Sequence, residues 1–321
     1  MTKQRILVCG ATGFVGRNMA EAFAGDSSCE LHAVFNKRLP FEDERIVWHK
    51  CDLTNPHQVS SLLKKVKPAK IIQAAATTSG AKDIVSTPQI HVTDNAVMNS
   101  YLFRDAVDNE VQHLVFFSCT VMYQSSDRPI AENAYDANGS VHPRYFGVAN
   151  TKLYIEKICK FYSDISKTKF SIIRHSNLYG PHDKFDLNKG HFIGSSILKV
   201  HLSKNEIDIF GKGNERRDYL FINDFIDFVK KIIKKQKNNY EIYNCSYGKS
   251  YPIKEILKKI INLSGMKKKI NHLSGKNLNI NIAVSNKKAK KEIQWRPTTK
   301  LDKGLKKTIN WFKKNEKFLQ K

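Results

Sequence analysis

The chain lacks the features that mark secreted, metal-stapled or membrane-spanning proteins. Its six cysteines, Cys9, Cys29, Cys51, Cys119, Cys159 and Cys245, stand far apart and form no C-x-x-C pair. That spacing excludes a dense disulfide framework and a zinc ribbon, and it fits a reduced, cytoplasmic protein. No uninterrupted apolar run reaches the length that a bilayer demands, so no membrane insertion is expected. The opening Met-Thr-Lys-Gln-Arg leads straight into an apolar segment and reads as lacking a signal peptide. The histidines form no ligand pairs at helical or hairpin spacing, so no metal is expected. No internal repeat and no low-complexity linker interrupts the chain.

Acidic residues are also scarce. Lys and Arg number 54 against 30 Asp and Glu, a formal net charge of +24. The surplus crowds the last third, in groups such as Lys230-Lys231, Lys267-Lys268-Lys269 and Lys313-Lys314 on amphipathic helical patterns. Lysine there reads as the wet face of surface helices. Attraction to anions or to a membrane surface is the alternative. No nucleic-acid-binding motif accompanies the charge, so no nucleic-acid partner is expected.

Apolar runs alternate with helical patterns up to residue 180. Strands are expected at Arg5–Cys9, Leu31–Phe35, Ile46–Lys50, Ile71–Ala74, Leu114–Ser118 and Phe170–His175. Helices are expected at Gly13–Ala24, Pro56–Val66, Asp94–Asp108 and Val148–Ser163. This alternation defines βαβ units, and so an α/β fold with a doubly wound parallel sheet. Past Pro181 the pattern loosens into helices at His191–Ser203, Asn223–Lys235 and Pro252–Leu263 with a short strand at Glu206–Phe210. The 321 residues thus divide into a unit over 1–180 and a smaller C-terminal α+β lobe over 181–321, whose segments are free to rejoin the first unit. The polar loop Asp127–His142 is long enough to expect a functional role.

Ile6–Cys9 runs directly into Gly10-Ala11-Thr12-Gly13-Phe14-Val15-Gly16, a G-x-x-G-x-x-G turn that opens a helix. Glycine lets backbone approach a pyrophosphate, and the helix N-terminus offers free N–H groups to it. The junction reads as a Rossmann dinucleotide site, with a purely structural turn as the bland alternative. The second strand then ends in Val34-Phe35-Asn36-Lys37-Arg38. No acid stands there to hold a ribose 2′-hydroxyl, and two cations suit a 2′-phosphate, so NADP(H) is preferred over NAD(H). Asp52, after the third strand, either accepts from an adenine amino group or caps the helix near Pro56. The small residues Ala74, Ala75 and Ala76 let a ligand or a neighbour lie close to the fourth strand's end.

Several of these segments, taken jointly, resemble the extended short-chain dehydrogenase/reductase family, the branch of nucleotide-sugar epimerases, dehydratases and reductases. They are Gly10–Gly16, Asp52, the alanine run followed by Gly80, and the helix carrying Lys152. Asn177-Leu178-Tyr179-Gly180-Pro181-His182-Asp183 with His191, and Arg216-Arg217-Asp218-Tyr219 before Asn223-Asp224, add to them. The likeness covers nearly the whole chain and leans to the GDP-fucose synthase subgroup, which are epimerase/reductases of GDP-linked 4-keto-6-deoxy sugars. It implies cofactor contacts from the glycine segment, Asn36, Lys37, Arg38, Asp52, Leu53, Ala74–Ala76, Ser118, Lys152, His175 and Asn177. It implies that Lys152 orients the nicotinamide ribose and lowers the pKa of a catalytic tyrosine. Thr120, Asn177, His191, Lys199 and Arg217 become candidates for the nucleotide-sugar substrate, and Asp224 reads as a helix cap near it. The resemblance also implies a cytoplasmic homodimer, paired through Asp94–Asp108 and Val148–Ser163, and a place in polysaccharide biosynthesis.

The chain departs from the family pattern at two places. Catalytic Tyr and Lys should stand four apart on one helix face. Four before Lys152 is Val148, and Tyr145 lies seven before. That is two helical turns, roughly 10 Å along the axis, unless Gly147 permits a bend. The family's Ser or Thr for the substrate C4 oxygen falls at Cys119, flanked by Ser118 and Thr120, and its epimerisation cysteine falls at Val121. The expected catalytic set is therefore Cys119, Thr120, Tyr145, Lys152 and His191. Reduction of a GDP-linked 4-keto sugar, with or without epimerisation, is the preferred reaction. An NAD⁺-retaining 4-epimerase or 4,6-dehydratase is the alternative within enzymes, and a non-catalytic cofactor- or sugar-nucleotide-binding protein is the alternative outside them.

Overall fold

The computed structural model of the chain describes residues 3–78, 87–126, 128–136, 138–274 and 281–319. Gly80 and Asp127, named above, lie outside the described residues. In chain order the first part supplies β1 (Gln4–Cys9), α1 (Phe14–Ala24), β2 (Cys29–Phe35), β3 (Ile46–Lys50), α2 (Pro56–Val66), β4 (Lys70–Gln73), α3 (Thr93–Asp108), β5 (His113–Cys119), α4 (Phe146–Ile165) and β6 (Lys169–His175). The rest supplies β7 (Asn177–Tyr179), α5 (Phe192–Leu202), β8 (Glu206–Phe210), β9 (Arg216–Phe221), α6 (Ile222–Lys235) and β10 (Tyr240–Cys245). It continues with β11 (Ser250–Pro252), α7 (Ile253–Ser264), β12 (Lys269–Leu273), β13 (Asn281–Ile282), α8 (Lys287–Glu292) and α9 (Leu301–Leu319).

Seven parallel strands form the main sheet in the order β10-β6-β5-β4-β1-β2-β3. The expected strands and helices of the first part all appear, shifted by no more than a few residues at their ends. Their continuous apolar runs are the signature of strands buried on both faces. Alternation along β1 sends Ile6 and Val8 into one core and Leu7 and Cys9 into the other. The strand order reverses between β1 and β4. In such sheets the crevice at the strands' C-terminal ends, at this reversal, is where ligands bind.

The second half does not stay apart. β10 joins the main sheet beside β6, after the loosened pattern past Pro181. A smaller sheet is built on β9, which pairs with β7, β11 and β13, and a two-stranded ribbon joins β12 to β8. One hydrophobic core runs from the Ile6 face of the main sheet to Ile256, Leu305 and Phe312 of the second half. The two parts therefore share that core, and polar contacts such as Asn18 to the Pro181 carbonyl and His182 to Glu21 also join them. Among the described residues no helix is long and apolar enough to cross a membrane.

Candidate active site

The glycine turn is shaped for backbone-to-backbone approach. Gly10 adopts a left-handed φ of 70°, and a Cβ there would stand 2.6 Å from the Ala75 Cα. A Cβ on Gly16 would collide with the Gly10 carbonyl oxygen. The first position thus closes the β1–β4 crevice, and the second seats α1 against the turn. Gly13 N-caps α1 with no side-chain cap, and no acidic residue occupies the first turn. The helix end at Gly13, Phe14, Val15 and Gly16 is left open to an anion, as a dinucleotide pyrophosphate requires. These features fit a nicotinamide dinucleotide.

Two loops border the turn. Arg38 at the end of β2 donates from Nη1 to the Thr12 carbonyl at 3.0 Å, which brings a guanidinium to the rim of the glycine turn. Asn36, Lys37 and Arg38 are all exposed there. Asp52 accepts from the Thr54 amide and hydroxyl at 2.9 and 2.7 Å, and these bonds hold its carboxyl below the usual range. It does not cap α2: Asn55 does, accepting from the His57 and Gln58 amides. Asn55 is the extended residue directly before the helix, so its side chain alone reaches the first-turn N–H groups. Leu53 is buried in the core. Ala74, Ala75 and Ala76 lead away from β4 and are fixed from α3, where Asn95 bonds both the amide and the carbonyl of Thr77. Buried Gln73 and Asn99 bond each other at 3.0 Å beneath them.

Of the catalytic candidates, Cys119, Thr120 and Lys152 lie at the end of β5, beside the cofactor candidate His175 at the end of β6. Lys152, on α4, donates to the Phe117 carbonyl at 2.8 Å, and its ammonium lies 4.6 Å from the Phe116 ring centroid. Burial holds its pKa below the usual lysine range. Cys119 ends β5, and burial raises its thiol pKa while the Lys152 ammonium opposes that rise. Thr120 starts the following turn, with its carbonyl accepting from the Tyr123 amide. His175 closes β6, bonds the Ser176 carbonyl at 2.8 Å and packs on Phe225. Burial lowers its pKa to about 4, so it is neutral at pH 7. Asn177 donates to the Asp218 carbonyl at 3.0 Å and ties β7 to β9. His191 stands at the N-cap of α5, where surrounding protein and the Lys184 ammonium disfavour its protonation.

The structure redraws two expectations. Tyr145 is the N-cap of α4, following a 3₁₀ turn over Pro143–Tyr145, and its ring lies against His142 and the Arg144 guanidinium. Gly147 is not a bend: it is helical, and a Cβ there would stand 3.1 Å from the Val92 side chain. The helix is thus irregular at Tyr145 itself, while Val148 and Lys152 share one regular face. Ser118 points away from the crevice. Its hydroxyl, buried, donates to Glu156 Oε1 at 2.6 Å, so only its backbone remains for a cofactor.

Glu156 belongs to a polar network that the sequence reading missed. It forms a buried ion pair with Arg174 at 2.6 Å. Arg174 also donates to the Tyr123 hydroxyl at 2.9 Å, and Tyr123 donates to Asn244 Oδ1 at 2.9 Å. Glu132 closes the set by accepting from the Asn244 amide at 2.7 Å. The network pins α4, β5, β6 and β10 directly behind Lys152 and Cys119. It also gives the loop over 127–142 its place, since the Glu132 carbonyl accepts from Arg174. Two signals for it stood in the sequence: Glu156 one turn beyond Lys152, and Arg174 inside an apolar strand.

On the substrate side, Lys199 donates to the Asp208 carbonyl at 2.6 Å, and Arg217 pairs with Glu215 at 2.6 Å. Asp224 is not a cap of its own helix. Its carboxylate accepts from Thr298 and Thr299 and anchors the segment before α9.

A Rossmann sheet with this site belongs to a recognisable class. Residues 6–246 match the NAD dependent epimerase/dehydratase family, and the chain belongs to that family. It is an enzyme of the extended short-chain dehydrogenase/reductase type. The chain is 27% identical over 314 residues to the GDP-L-colitose synthase of Yersinia pseudotuberculosis, covering 96% of this chain and 97% of that one. It is likewise 27% identical over 317 residues to a GDP-L-fucose synthase of Sinorhizobium fredii, covering 97% and 96%. Among solved structures, the UDP-glucose 4-epimerase of Thermotoga maritima superposes with a TM-score of 0.87 at 19% identity, covering 98% of this chain and 100% of that one.

Proposed function

We propose that the protein reduces a GDP-linked 4-keto sugar with NADPH. The observation that carries this reading is the placement of Lys152. Its ammonium is fixed at the end of β5, on the sheet edge where the glycine turn opens, as hydride chemistry beside a dinucleotide requires. The full-length likeness to GDP-L-colitose and GDP-L-fucose synthases supports a GDP-linked substrate. Arg38 at the glycine turn, with no acid at the end of β2, supports the phosphorylated cofactor.

NADPH, when bound, supplies the hydride. Lys152 holds the nicotinamide ribose and keeps positive charge beside the reacting oxygen. Thr120 or Cys119 positions the ketone oxygen at the mouth of β5. Tyr145 donates the proton to that oxygen, with ordered water as the alternative donor, and His191 assists from the N-terminus of α5. Asn177, Lys199 and Arg217 hold the sugar nucleotide, with Arg217 released from Glu215 by the diphosphate. Val121 in place of an epimerisation cysteine supports reduction over C3/C5 epimerisation. The protein acts as a homodimer through α3 and α4.

The test is loss of nicotinamide absorbance when NADPH is mixed with protein and freshly made GDP- or dTDP-linked 4-keto-6-deoxy sugars. Turnover with the GDP sugars is expected. Tightly bound NAD⁺ surviving purification, together with silence towards NADPH, would replace this reading with a 4-epimerase or 4,6-dehydratase.

A further inference from the structure

Val148 stands four residues before Lys152, so the regular face of α4 offers no phenol at the spacing that meets an ammonium. Tyr145 precedes that face. Its φ of −105° and ψ of 6° are not helical, and its side chain makes no capping bond to α4. Helix geometry therefore does not fix this phenol, and the task falls to the residues before it.

His142, which ends the polar loop, is the N-cap of the 3₁₀ turn over Pro143–Tyr145. Its imidazole Nδ1 accepts from the Arg144 amide at 3.2 Å, and its carbonyl accepts from the Tyr145 amide at 2.8 Å. Pro143 has no amide hydrogen to satisfy. One residue thus takes up every backbone N–H of the turn, groups that the start of a helical turn leaves without partners of its own. The bond to Arg144 also fixes the tautomer: Nδ1 carries the lone pair and Nε2 the proton. The His142 and Tyr145 rings lie 5.9 Å apart between centroids, and the Arg144 guanidinium stands 6.0 Å from the Tyr145 centroid. Both His142 and Tyr145 are half-buried.

The turn sets the phenol beside the second half of the chain. Tyr145 and Tyr219 of β9 lie within electrostatic reach of each other. Phe192, which directly follows His191, packs its ring 6.4 Å from that of Tyr219. Arg217 is two residues before Tyr219 on β9 and so shares its face of the strand. Tyr145 is thus held near the wall that carries Arg217 and His191, two residues proposed to meet the substrate.

We propose that His142 is a positioning residue for Tyr145. By capping the 3₁₀ turn with Nδ1 it holds the phenol where a proton can pass to the substrate oxygen. This rests on the reading of Tyr145 as the donor. His142 itself touches neither substrate nor cofactor in this scheme and acts through the turn alone.

The test is a double-mutant cycle in NADPH-dependent turnover of a GDP-linked 4-keto-6-deoxy sugar. His142→Ala should lower kcat on the order of tenfold and leave KM within about threefold, because a loosened donor costs the proton step and not binding. His142→Asn, whose side chain also caps such turns, should restore kcat to within about threefold of the wild type. In a Tyr145→Phe background, His142→Ala should cost less than about twofold more, since the two residues act as one unit. Mass spectrometry of tryptic cleavage between Arg144 and Tyr145 reads the turn without any turnover. Cleavage should quicken in His142→Ala and return to the wild-type rate in His142→Asn. Unchanged kcat or unchanged cleavage in His142→Ala, no rescue by asparagine, or a full further loss in the Tyr145→Phe background overturns the proposal and leaves the functional reading standing. Wild-type kcat in Tyr145→Phe itself overturns the donor assignment and the proposal together.

Discussion

At the residue scale, the proposed reaction divides its chemistry between Lys152 and Tyr145. Lys152 is fixed by the Phe117 carbonyl, whereas Tyr145 stands at an irregular helix start two turns away. Lys152→Ala should lower kcat on the order of 10²-fold or more and also weaken NADPH binding, since it acts on cofactor and proton transfer together. Tyr145→Phe should lower kcat by about 10²-fold while leaving KM within about threefold, the mark of a proton donor. A threefold or smaller fall in kcat would assign donation to water beside Cys119 and Thr120. Asp183 makes a separate prediction. It is buried, Oδ1 accepts from the Lys184 amide at 2.7 Å, and Oδ2 has no hydrogen-bond partner among the described residues. Burial raises its pKa from 3.8 to about 7. The folded state therefore prefers the protonated acid. The unfolded chain releases that proton at lower pH, so stability falls as pH rises from about 4 through about 7. Asp183→Asn should flatten this dependence and be the more stable protein at about pH 8, with an upper bound of about 4 kcal/mol. Urea unfolding of both proteins across that pH range measures it.

At the scale of elements, the Glu156–Arg174 pair joins α4 to the sheet. Both side chains are only 4% exposed. Removing one partner strands a buried charge, so Glu156→Ala should cost about 3–5 kcal/mol in urea unfolding. Glu156→Ala/Arg174→Met removes both charges and should recover a large part of that loss. Additive losses would show that the pair does not act as a unit. The sequence made the strands up to β6 legible because they are apolar runs long enough for a twice-buried strand. It did not reveal β10. Tyr-Glu-Ile-Tyr-Asn-Cys mixes polar residues into a strand at the sheet edge, where one side has no neighbouring strand among the described residues. The glycine turn was readable because close backbone approach admits no other residue. The choice of Asn55 over Asp52 as the cap of α2 was not, since both residue types suit the task and backbone geometry decides. The Ser118 hydroxyl went astray for a related reason: strand alternation turns it towards Glu156, whose inward position appears only once α4 is packed.

For the whole molecule, the exposed apolar residues of α4 bear on assembly. Tyr154, Phe161 and Ile165 are 48%, 55% and 61% exposed and recur at helical spacing. In the proposed homodimer a second copy would cover this apolar stripe. Sedimentation should show a species of twice the 36.8 kDa chain mass. Phe161→Glu should shift it to the monomer without loss of helical signal, and a wild-type monomer would refute the pairing.

In the proposed reaction a hydride passes from NADPH to the C4 carbon of a GDP-linked keto sugar. Its most direct test is mass spectrometry of the sugar product formed with NADPH carrying two deuterium atoms at the nicotinamide C4 position. The expected result is a single deuterium at sugar C4, absent when Lys152→Ala replaces the wild-type protein. Product formed without deuterium, or both deuterium atoms retained on the cofactor while the sugar changes, would contradict that transfer.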